Sequence, residues 1–128
     1  MLVKQLSIFL ENRPGTLDAA LAILKEANVN ITALALADTS EFGLLRVITD
    51  KPDEAKQAMK KAGYTSSIND VLMVELQHKV GYLADIVKKI SGAGVNIEYM
   101  YAAPATGDTA GMLIKTDDAE KAQKAIEA

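Results

Sequence analysis

The chain has 128 residues, 49% of them hydrophobic and 24% charged, with a formal net charge of −3. That is too apolar for a disordered chain, and it is sized for one ordinary domain or two small packed units. The absence of cysteine excludes a disulfide framework and a thiolate nucleophile, and the single histidine, His78, removes most zinc sites.

Charge is spread evenly. Up to Asn69 there are eight basic and eight acidic residues, and six and nine after it, so neither half has a basic patch for nucleic acid. The opening "MLVKQLSIFLENRPG" has too short an apolar run for a signal peptide. Nothing approaches the ~20 apolar residues of a membrane span. The expectation is a cytoplasmic protein with no membrane or nucleic-acid partner.

In chain order, Leu6, Ile8 and Leu10 alternate with Gln5, Ser7 and Phe9, which predicts a strand with one face on a core. After "ENRPG", Leu17, Ala20, Leu21, Leu24 and Ala27 recur at helical spacing, and Asn28 suits the left-handed residue that closes a helix. A second strand, "ITALALAD", a turn-like "TSE" and a third strand, "GLLRVIT", follow. Then come a helix, "DEAKQAMKKAG", a short strand, "YTSSI", and a turn-forming pair, Asn69-Asp70.

The pattern then repeats. "ENRPGTLDAALAILKEANVNI" at 11–31 returns 66 positions later as "QHKVGYLADIVKKISGAGVNI" at 77–97. Leu72, Val74 and Leu76 alternate with Met73, Glu75 and Gln77. Leu83, Ile86, Val87, Ile90 and Ala93 form the second apolar stripe, and Gly94 stands where Asn28 stood. "IEYMYAA", "PATGDT", "GMLIKT" and "AEKAQKAIEA" complete the copy at an offset of 67, because its hairpin loop is longer.

The order is β-α-β-β-α-β, then β-α-β-β-α. This predicts an α+β protein of two ferredoxin-like βαββαβ units in tandem, 1–69 and 70–128, each an antiparallel sheet with helices on one face. The second unit lacks its last strand, so strand 71–77 is expected to have an open edge. Open edges are covered or paired, and a ~60-residue unit is marginal alone. Both facts lead to the expectation of a homodimer.

The strand–Asn-x-Pro-Gly–helix–Val-Asn-Ile signature in 11–31, with its weaker second copy, resembles a tandem pair of ACT domains over essentially the whole chain. The resemblance implies a ferredoxin-like regulatory module of amino-acid metabolism. It also implies amino-acid binding at the loop between first strand and first helix, often at a seam between modules. Such modules are usually attached to a metabolic enzyme; here the resemblance implies a stand-alone sensor acting on a partner enzyme. The second copy departs from the signature at His78, which replaces Asn12, and at Val80, which replaces Pro14.

Elementary chemistry points the same way. An amino acid pairs a carboxylate with an ammonium, and a helix N-terminus offers free N–H groups and partial positive charge to the first. Gly15 and Gly81 lack a Cβ, so a ligand can approach their backbone, although both equally suit a tight turn. Pro14 pre-sets a first helical turn. Asn12, Asn30 and Asn96 offer amide oxygens to an ammonium, or else cap and close loops.

The candidate ligand residues are therefore Asn12, Arg13, Pro14, Gly15, Thr16, Leu17, Asn30 and Ile31. In the second copy they are His78, Val80, Gly81, Tyr82, Leu83, Asn96 and Ile97. Arg13 and Arg46 are candidates for a carboxylate clamp or for exposed salt bridges. Tyr99 and Tyr101 share a sheet face and could line a ligand, a partner surface or ordinary packing.

No catalytic residue, metal or cofactor is expected. An acylphosphatase-like enzyme would need a basic residue to converge with Arg13, and no phosphate loop accompanies it. An RNA-binding sheet would need aromatics on its third strand and basic surroundings. The alternative that stands beside the sensor is a dimeric scaffold that binds no ligand.

Overall fold

The computed structural model describes residues 1–38, 42–106 and 109–128. The connection at 39–41 and the tip at 107–108, read above as turns, lie outside the described residues. Four helices and six strands follow one another as β1 (Leu2–Glu11), α1 (Thr16–Glu26), β2 (Ile31–Asp38), β3 (Phe42–Thr49), α2 (Pro52–Lys61), β4 (Ser66–Gln77), α3 (Tyr82–Gly92), β5 (Ile97–Thr106), β6 (Thr109–Thr116) and α4 (Ala119–Glu127). This is the α+β arrangement of two ferredoxin-like repeats that the alternating patterns predict.

The chain divides into two compact units, one of Lys4–Asn69 and one of Asp70–Ala128 together with Met1–Val3. In the first unit the strands run β2-β3-β1, with the start of β4 beside β1. Phe9 N–H donates to the Thr65 carbonyl at 3.0 Å, just ahead of β4. Antiparallel register places Leu6 opposite Val47, Ile8 opposite Leu45 and Leu10 opposite Gly43. Leu6, Ile8, Leu24, Leu45, Val47 and Met59 are almost wholly buried in one cluster, where the apolar stripes of α1 and α2 meet the sheet. Both helices close with a left-handed residue: Asn28 at φ 59° and Gly63 at φ 88°.

The polar face of β1 does not simply face water. Gln5 and Ser7 are buried, and the Gln5 amide donates to the Ser7 hydroxyl at 3.3 Å. Of the three residues alternating with the core leucines and isoleucine, only Phe9 is half exposed. Buried polar groups persist when they find partners, which is why a polar-looking strand face sits inside.

The second unit repeats the plan with β4, β6 and β5. Leu72 stands opposite Ile114, Val74 opposite Met112 and Leu76 opposite Ala110. Leu72, Ile86, Ile90, Ile114 and Ala122 form its core. Tyr99 and Tyr101 share a face of β5 and stack with ring centroids 6.5 Å apart.

Two local readings change. Asn69 and Asp70 make no turn: β4 is one strand of 12 residues running straight through them. Ile68 and Val71 on either side are packed into cores, so strand pairing overrides the turn tendency of the pair. The expected open edge beside 71–77 is also occupied. No strand follows α4, but Met1–Val3 take that place in the second unit. Met73 N–H donates to the Met1 carbonyl at 2.8 Å, the terminal ammonium reaches Gln123 Oε1 at 2.6 Å, and Leu2 packs against the second core.

Candidate ligand site

In the first unit, β1 passes into α1 through the turn Asn12-Arg13-Pro14-Gly15. Gly15 is the N-cap, at φ 88° and ψ −12°, and no side chain caps the helix. A Cβ there would meet nothing within 4 Å, so the left-handed backbone, rather than crowding, calls for glycine. The Thr16 hydroxyl lies 2.6 Å from the Glu11 carbonyl oxygen and 3.0 Å from that of Arg13. It ties the end of the strand to the start of the helix. Arg13 pairs with Glu11, both side chains about two-thirds exposed, a pairing of small energetic weight.

Asn12 is not the helix cap. Its amide makes no hydrogen bond among the described residues, and it lines a cleft of about 330 Å³ together with Arg13, Thr16 and Leu17. Glycine at position 43 makes this cleft. Leu10, Gly43 and Asp38 stand opposite one another across β1, β3 and β2, so they share the helix-covered face. Glycine leaves that row without a side chain in its middle. A Cβ built on Gly43 would lie 3.8 Å from each of Leu10 Cβ, Leu36 Cδ1 and the Ala37 carbonyl oxygen. Leucines therefore form the floor, while Asn12, Arg13 and Asp38 stand at the rim.

On the other side of the same turn, Phe9, Phe42 and Tyr64 border a second hollow of about 360 Å³, again with Glu11, Arg13 and Thr16. Leu36, Asp38 and Gly43 were missed as cleft residues. Their one sequence signal is a glycine inside an otherwise apolar strand, which marks a close approach or a missing wall.

Asn30 and Ile31 are not in this cleft. They border another hollow with Asn28, Asp50 and Lys51, at the far end of an 11-residue helix, about 16 Å away. There the Asn30 N–H donates to Asp50 Oδ1 at 2.9 Å, and the Asp50 N–H donates back to the Asn30 carbonyl at 3.1 Å. Asn96 and Asp117 repeat this clasp at 3.0 and 3.2 Å. Arg46 lies mid-strand opposite Ser7 and Ala35, on the sheet face away from the cleft.

In the second unit the turn has the same backbone. Gly81 caps α3 at φ 83°, and the Tyr82 N–H donates to the Lys79 carbonyl at 3.1 Å. His78 and Val80 are exposed, Val80 completely. Tyr82 and Leu83 are half-buried, with Tyr82 against the second core. Ile97 also packs there. Tyrosine replaces the threonine that ties the first turn, and Ala110 occupies the place of Gly43 opposite Leu76.

Among the described residues no group of three or more His, Asp or Glu could hold a metal ion. No helix among them is long and apolar enough to cross a membrane.

A family profile described as an ACT domain pair matches residues 1–128. The structure of a protein from Bacteroides thetaiotaomicron superimposes with a TM-score of 0.91 at 36% identity, covering 99% of this chain and 88% of that one. The regulatory subunit of aspartate kinase from Thermus thermophilus gives a TM-score of 0.71 at 19% identity, covering 97% of this chain and 88% of that one. Its counterpart from Thermus flavus gives 0.68 at 19%, covering 99% and 94%. No curated protein matches the chain.

Proposed function

This chain belongs to the ACT domain pair family, and from that premise we propose that it is a regulatory protein that binds a free amino acid and acts on a partner enzyme of amino-acid metabolism. The observation that carries the reading is the cleft at the β1–α1 turn, lined by the Asn12 amide, which makes no hydrogen bond among the described residues, by the Arg13 guanidinium and by the carboxylates of Glu11 and Asp38. The start of α1 and Arg13 suit the ligand's carboxylate; Asn12 and Asp38 suit its ammonium. A volume of about 330 Å³ is at the small end of the ~300–1,000 Å³ of ligand pockets. It is large enough for one amino acid.

The two Thermus relatives are by name regulatory subunits, which agrees with a role in control rather than catalysis. In this reading Asn12, Arg13, Thr16 and Leu17 hold the ligand in the first unit, with Pro14 and Gly15 shaping the turn outside the cleft lining. The turn at 78–83 is the corresponding position in the second, where Tyr82 and Ala110 change the lining.

The test is a thermal-shift screen of the full chain against the twenty amino acids and their 2-oxo acids. A ligand at ~100 times its dissociation constant adds ~2.7 kcal/mol to the folded state. A shift with one of them supports the sensor; no shift with any of them sinks it.

A second reading rests on a separate observation. Leu34 and Leu36 are each 51% exposed on β2, the end strand of the first unit's sheet. The end strands are β2 and β5, and the exposed leucines favour β2 as the edge where a second copy would add. Sedimentation equilibrium at micromolar concentration tests this: a monomer refutes it.

A further inference from the structure

We infer that the gap at Gly43 is the side-chain pocket of the amino-acid site, and that it takes an uncharged, branched aliphatic side chain. The inference rests on the amino-acid reading above and adds to it the class of ligand.

The argument begins with the missing Cβ. In the row Leu10–Gly43–Asp38 every neighbour presents a side chain to the helix-covered face, and glycine alone presents none. Filling the gap needs no backbone strain, because the φ of Gly43 is outside the left-handed range and a Cβ there sits at ordinary contact distance, 3.8 Å, from its walls. A strand position with room for the Cβ of an alanine, yet holding glycine, leaves a gap of about one methyl group between Leu10 and Leu36. Leu10 is only 4% exposed, Leu17 is half-buried and Leu36 half exposed along the same opening.

The three walls set the chemistry. Leu10 and Leu36 give dispersion contacts and the Ala37 carbonyl oxygen only accepts, so a carboxylate placed there finds no donor and an ammonium finds a single acceptor for its three N–H groups. The 3.8 Å clearances around a Cβ at position 43 make the floor about one methyl group wide. A branched aliphatic end fits such a slot, whereas a flat ring has no aromatic wall there to stack on. The charged groups that line the cleft are Glu11, Arg13 and Asp38, with Arg13 paired to Glu11, and the common ammonium and carboxylate of any amino acid belong among them. The second unit's Ala110, opposite Leu76, puts a methyl group at the matching place, so the pocket belongs to the first unit.

Calorimetric titration of the full chain with L-valine, L-leucine, L-isoleucine, glycine, L-phenylalanine, L-aspartate and L-lysine tests the assignment. The aliphatic three bind, and glycine binds at least ~10-fold more weakly, since a few methylenes in an apolar pocket are worth that much. Gly43→Val weakens leucine at least ~10-fold, with Gly43→Ala in between. Leu36→Thr, at a half-exposed edge position, weakens leucine by a smaller factor and remains informative should Gly43→Val not fold. Tightest binding of phenylalanine, aspartate or lysine, or leucine affinity unmoved in the folded variants, overturns the pocket and leaves the sensor standing. No binding by any amino acid overturns both.

Discussion

Replacing Leu2 by aspartate tests whether the first residues of the chain complete the second unit. In the structure Met1–Val3 stand where a last strand of that unit would run. The interaction has three measurable parts: the 2.8 Å bond from Met73 N–H to the Met1 carbonyl, the ammonium bond to Gln123, and Leu2 against the second core. The backbone bond contributes about 1 kcal/mol net. The half-buried leucine contributes about half of the ~2 kcal/mol of full burial, and the exposed ammonium bond little.

Leu2→Ala therefore costs about 1 kcal/mol, while Leu2→Asp, which sets a carboxylate against the second core, detaches the segment and costs about 2–3 kcal/mol. A unit of this size is stable by only ~3–9 kcal/mol, and each kcal/mol moves its midpoint by ~4–8 °C. The aspartate variant should melt ~10–20 °C lower. Amide hydrogen exchange in the same variant should accelerate at Met73 and its neighbours in β4. Unchanged exchange at Met73, with a midpoint within ~2 °C of the parent, would show that the first three residues carry no weight in the second unit.

Five further substitutions probe the turns. Asp50→Ala and Asp117→Ala each remove the carboxylate that accepts the N–H of Asn30 or Asn96; each should cost about 1 kcal/mol in urea unfolding, and equal losses would reflect the duplicated clasp. Gly15→Ala and Gly81→Ala force a Cβ into the left-handed region where space is otherwise open, so each should lower stability by about 1 kcal/mol, with alanine at Gly92 as the comparison that costs nothing. Thr16→Val keeps the shape but removes the hydroxyl that ties Glu11 to Arg13; stability falls by about 1 kcal/mol, and any amino-acid response in the thermal-shift screen weakens, while an unchanged response would remove the turn from the site.

What was legible in the sequence was whatever depends on short-range period. The alternation around Leu6 and Leu72 and the stripes on Leu17–Ala27 and Leu83–Ala93 needed only two or three residues of context, as did the left-handed stops at Asn28 and Gly94. The structure shows strands, helices and stops at those places. What was illegible depended on which strands become neighbours. Asn69-Asp70 has the chemistry of a turn, and only the packed residues on both sides hold it straight. The edge of β4 looked open because its covering segment lies some seventy residues away, in Met1–Val3.

The cleft is the sharpest case of the same rule. Asn12, Arg13 and Thr16 could be named from a contiguous motif, but the wall they face could not, because Leu10, Gly43 and Asp38 become one row only after β1, β3 and β2 take their register. This also explains how two copies of one signature can differ in use. The conformational parts of the turn were kept in duplicate: the left-handed glycines at 15 and 81 and the aspartate clasps at 50 and 117. These fix the backbone and would be kept for folding alone. The residues that decide whether a space exists, Thr16 against Tyr82 and Gly43 against Ala110, diverged. On the reading proposed above, the site in such a repeat is found by comparing which side chains are missing, and here that is the one at position 43.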